Sequence, residues 1–109
     1  EDKELCMRAV REGVTLEICP TSNIQCQSQP SYAQHPAKEL FDMGVRVTIN
    51  TDNMILSDIN LDKEYDRCIS DMGFEYNDLI TMNIHSVHAA FMPEGKKSKI
   101  IEELKTYYR

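Results

Sequence analysis

Gly44-Val45-Arg46-Val47-Thr48-Ile49-Asn50-Thr51-Asp52-Asn53 holds a helix stop, a strand and a carboxylate in immediate succession. Val45, Val47, Thr48 and Ile49 are β-branched, which suits a pleated, half-buried surface. Gly44 is the residue type expected just past a helix end. Asp52 then stands where the strand gives way to a turn. A carboxylate in that position can be a metal ligand, a general base or a substrate anchor. It can equally cap the loop or helix that follows.

Upstream, Val14-Thr15-Leu16-Glu17-Ile18-Cys19 forms a second strand, closed by Pro20. Between the strands, the polar residues 20–34 carry two prolines and read as a long loop. His35-Pro36 opens a helix with Leu40, Phe41 and Met43 on its apolar side. Strand, helix and strand make a βαβ unit, so the strands, about 14–19 and 45–50, are expected to be parallel with a right-handed crossover. The first residues of the two strands lie about 31 positions apart, a spacing that suits a βα barrel, in which active sites lie at the C-terminal strand ends.

Four helices flank this unit. Residues 2–12 end at Gly13. Residues 60–72 place Leu61, Tyr65, Cys68, Ile69 and Met72 on one face. Residues 77–91 have Asn77 as N-cap, and residues 94–107 are rich in lysine and glutamate. No repeat or linker interrupts the chain, so 1–109 is expected to be a single segment of one domain. Two parallel strands alone leave open edges and uncovered faces. An N-terminal part supplying six further strands is therefore expected, all the more since the chain starts at Glu1 with helical composition.

Twelve basic and 18 acidic residues give a net charge of −6, with no basic patch to support nucleic-acid binding. No apolar run reaches the ~18 residues of a membrane span. Cysteines 6, 19, 26 and 68 form no C-x-x-C pair, which fits reduced thiols in a cytoplasmic protein. Glu17 and Cys19 point to the same side of their strand, where a buried carboxylate would need a partner. His85 and His88, three apart on a helix, are read as surface or packing residues, and His35 as a helix start.

Taken in order, Leu16-Glu17-Ile18-Cys19-Pro20-Thr21-Ser22-Asn23, His35-Pro36, Gly44 to Asp52, Leu61 and Glu64-Tyr65 resemble the adenosine deaminase family from its seventh barrel strand to its C-terminus. The resemblance covers nearly the whole chain, with residues 1–13 as the helix after strand six. It implies an α/β fold, the C-terminal part of a TIM (β/α)8 barrel. It also implies one zinc ion, a small-molecule purine nucleoside substrate, and hydrolytic deamination of adenosine or deoxyadenosine to the inosine product and ammonia. Asp52 matches the family's zinc-ligating aspartate at the end of the last strand. Ser22 and Asn23 follow the first strand and would sit at the same rim, with a supporting role around the metal or a role in forming the turn. Asn53 departs from the pattern, which has a second aspartate contacting a purine ring nitrogen. That nitrogen is an acceptor, and an asparagine amide donates to it without needing an extra proton, so Asn53 is a substrate-binding candidate, or else it only shapes the turn after the strand. Met54 replaces a proline common in the family.

The family's three histidine ligands, its proton-shuttling glutamate and its water-orienting histidine all precede this region. No catalytic residue is therefore assigned within residues 1–109, and the segment alone is expected to be inactive and to hold zinc weakly. The alternative is a barrel homologue without activity, serving as a binding or structural protein. Exposed strand edges would also permit self-association.

Overall fold

The computed structural model describes residues 2–107. Helix α1 (Lys3–Glu12) starts at Asp2, whose side chain accepts the Leu5 N–H at 3.0 Å. It stops at Gly13, where φ is +68°, a conformation that glycine adopts without steric cost. There follow β1 (Thr15–Ile18), α2 (Pro20–Gln25), α3 (Ala37–Asp42), β2 (Arg46–Ile49), α4 (Met54–Ser57), α5 (Leu61–Asp71), α6 (Tyr76–Ala89) and α7 (Glu94–Tyr107).

The strands pair in parallel, with Thr15 opposite Arg46 and Ile18 opposite Ile49. Side chains alternate across a sheet, so Leu16, Ile18, Val47 and Ile49 share an apolar face. Helices α3, α5 and α6 pack against β2, and Ala37, Cys68, Met72, Phe74, Leu79 and Met82 join Val45, Val47 and Ile49 in one buried cluster. Phe41 meets Phe74 edge to face at 5.7 Å. The opposite face carries Thr15, Glu17, Arg46 and Thr48. Glu17 is exposed there, so the buried carboxylate considered from the sequence is not found.

Each strand is shorter than its β-branched run. Val14 and Val45 direct their N–H groups to Ala9 and Leu40, closing the preceding helices before the ladder begins. The stretch 20–34 is not wholly a loop: its first six residues form α2, with Pro20 in the first helical turn. The sequence hides this helix because Pro20 also reads as a strand stop and the polar run has no apolar period. Helix α3 begins at Ala37 rather than at His35-Pro36. Asn77 is not the N-cap of α6. Glu75 is, because its side chain and that of Asp78 satisfy each other's backbone N–H in a capping box. No helix among the described residues is long and apolar enough to cross a membrane.

Candidate active site at the strand ends

The two strands finish side by side. The Asn50 N–H donates to the Ile18 carbonyl at 2.8 Å, and its carboxamide nitrogen reaches the Ile18 carbonyl at 3.3 Å and Thr48 Oγ1 at 3.0 Å. Just beyond this knot the backbone turns at Asp52, with φ at +58°. Aspartate is among the few residues other than glycine that occupy this left-handed region with any frequency. Such positions cost of order 1–3 kcal/mol and gather at functional sites.

Asp52 is exposed, and Ser22 Oγ on α2 donates to its Oδ2 at 3.0 Å. Among the described residues, Oδ1 accepts no hydrogen bond. Cys19 lies beside it. Burial first, then the charges of Asp52, Glu64 and Glu17, raises the Cys19 thiol above its ordinary value.

Asn53 caps α4, its Oδ1 accepting from the Ile55 and Leu56 N–H groups at 3.1 and 3.0 Å. Both bonds need an acceptor, which fixes the orientation of the amide. The Nδ2 donor pair is left over, with no partner among the described residues. Turn shaping therefore engages only the oxygen of this side chain and leaves the nitrogen open.

Asn23 does not touch Asp52. Its Oδ1 lies 2.9 Å from His35 Nε2, while His35 Nδ1 accepts the Ala37 N–H at 3.1 Å. An accepting Nδ1 makes Nε2 the protonated nitrogen, so His35 donates to Asn23 as a neutral imidazole. Burial lowers its pKa. The other flank of α2 is tied to Glu64, which is completely buried. Glu64 accepts the Thr21 N–H at 3.3 Å and also the Thr21 hydroxyl, and Tyr32 OH lies 2.7 Å from that same hydroxyl. Gln25 Nε2 bonds the Ser57 carbonyl at 3.0 Å, joining α2 to α4.

Glu64 was legible in principle. It sits between Leu61 and Cys68 on the apolar stripe of α5, where a carboxylate is out of place. His85 packs near the Phe41 ring, and the His88 carbonyl accepts from Lys97 Nζ at 2.8 Å. Neither histidine partners Asp52.

No group of three or more His, Cys, Asp or Glu side chains among the described residues could hold a metal. Asp52 does fit as one donor of a larger set: it is an exposed carboxylate with one oxygen engaged and the other open.

Comparison with known proteins places the chain in a family and a fold. Residues 1–107 match a family model described as adenosine deaminase. The chain is 37% identical over 106 residues to an adenosine deaminase of Streptococcus agalactiae, covering 97% of this chain and 31% of that protein. It is 38% identical over 104 residues to an adenine deaminase of Rhizobium meliloti, covering 95% and 32% respectively. It therefore spans about a third of the length of these relatives. Among solved structures, an adenine deaminase from Arthrobacter aurescens superposes with a TM-score of 0.91 at 23% identity, covering 98% of this chain and 33% of that one. An amidohydrolase from Burkholderia ambifaria with bound zinc gives 0.88 at 21%, covering 98% and 30%. The architecture is that of the C-terminal part of a TIM barrel.

Proposed function

The chain belongs to the adenosine deaminase family, and on that basis we propose that it forms the C-terminal part of a zinc-dependent purine deaminase. The remaining barrel strands would come from polypeptide upstream of these residues. The reaction consumes water and a 6-aminopurine and releases the 6-oxopurine and ammonia. Asp52 carries the proposal: it stands at the C-terminal end of a barrel strand, in a left-handed turn, with Oδ2 held by Ser22 and Oδ1 open.

Asp52 would be the carboxylate ligand of the metal, with histidines of the upstream strands as the others. When bound, zinc lowers the pKa of water toward ~7, so that hydroxide is available at neutral pH. Ser22 orients the ligand by holding one of its oxygens. Asn53 presents Nδ2 to an acceptor nitrogen of the purine ring, which its capping role leaves free to do so. Asn23 acts at one remove, keeping α2 in place through His35.

Adenosine is the leading substrate. Adenine is the second reading, favoured by the adenine deaminase among the relatives. Steady-state kinetics of the whole protein on both compounds test the choice. A kcat/KM for adenosine at least about tenfold above that for adenine is the expected result, about 1.4 kcal/mol in transition-state binding. Turnover of neither compound would overturn the proposal.

A further inference from the structure

We infer that Glu64 is a positioning residue for Asp52: through Thr21 it fixes the place of Ser22, and so the direction of the carboxylate that Ser22 holds. The inference rests on Asp52 being a metal ligand, as proposed above.

Helix α2 begins without a cap of its own, because Cys19 offers it no side-chain hydrogen bond. Glu64, 43 residues beyond Thr21, takes over that task. Its two oxygens receive the Thr21 N–H and the Thr21 hydroxyl. With that hydroxyl committed as a donor to Glu64, Tyr32 OH must be the donor in the 2.7 Å contact. Thr21 is thus held by backbone and side chain together. Ser22 is the next residue, and its hydroxyl makes the bond to Asp52 Oδ2. Four groups form one connected path from the interior of α5 to the strand end. Capping α2 gives the carboxylate a folding role, but at the cost of burying a charge with no exposed surface. A well-packed apolar side chain of similar volume is often at least as stable there. A fixed α2 gives a second reason, since groups that orient a ligand set the affinity of the metal.

The test uses the whole zinc-loaded protein and the variants Glu64→Gln, Thr21→Val, Thr21→Ser and Asp52→Ala. Zinc affinity is read by chelator competition, alongside kcat, KM and thermal melting. Glu64→Gln and Thr21→Val are each expected to weaken zinc binding about tenfold and to lower kcat by a similar factor, with KM little changed. The double variant should be no worse than either single one, because both break the same path. Thr21→Ser, which keeps the hydroxyl, should restore zinc affinity. A folded Glu64→Gln that binds zinc as the parent does, while Asp52→Ala loses it, overturns the inference and leaves the ligand assignment standing. Retention of zinc by Asp52→Ala overturns the ligand assignment, and this inference with it. If Glu64→Gln does not fold, Thr21→Val decides: unchanged zinc affinity there is equally contrary.

Discussion

At Asn53 the capping role and the proposed substrate contact can be tested separately. Its Oδ1 caps α4 and its Nδ2 faces no partner among the described residues. Serine is about as good an N-cap as asparagine, whereas alanine costs about 1 kcal/mol at such a position. Asn53→Ser is therefore expected to melt like the parent and yet lose about tenfold in kcat/KM, the value of roughly one hydrogen bond. Asn53→Ala should lose both. Full activity in Asn53→Ser would reduce the residue to a turn former.

His35 makes a pH prediction. Its pKa is lowered in the folded state by burial, so the folded protein binds fewer protons than the unfolded one near pH 6. The stability tied to the neutral ring is fully present above the unfolded pKa of about 6.5 and is lost as pH falls from there. Protonation would also turn Nδ1 into a donor facing the Ala37 N–H. Melting temperatures between pH 8 and 5 should fall more steeply for the parent than for His35→Asn. Parallel curves would count against this. At the residue scale, strand composition placed Asp52 just past the end of β2, and the ordered resemblance around it, not its position alone, made it a ligand candidate. Glu64 stood out only as a carboxylate on an apolar stripe, and its partner Thr21, 43 residues away, could not be read.

Among the elements, those that sequence periodicity and caps define were readable: α1 with its glycine stop, α5 with its apolar stripe, both strands. Helices α2 and α4 were not. With six and four residues they are too short to show a period, and they start at Cys19, which makes no side-chain cap, and at Asn53; the two read equally well as a strand end and a turn. These two short helices carry Ser22 and follow Asp52, so the hardest elements to read are the ones that build the site. Core packing holds the longer ones. Met82 on α6 is about 1% exposed in the cluster with Val47 and Phe74. Met82→Ala should destabilise the protein by about 2–5 kcal/mol in chemical denaturation. A loss below about 1 kcal/mol would show that α6 is not bound to β2 through this cluster.

At the scale of the molecule, a two-stranded parallel sheet is only part of a barrel. The sequence order of helices and strands pointed to that incompleteness, because parallel strands need neighbours and cover. Among the described residues, no group of three or more His, Cys, Asp or Glu side chains could hold a metal. Residues 1–109 expressed alone are accordingly expected to show no adenosine turnover and only weak zinc binding. Normal turnover by that chain would contradict the division of the site proposed here.

The most direct test of Asp52 as a metal ligand is the zinc content of the whole protein beside its Asp52→Ala variant, after dialysis against a chelator. About one zinc ion per chain in the parent and almost none in the variant, with deamination lost in step, is the predicted result. A variant that keeps its zinc would contradict it.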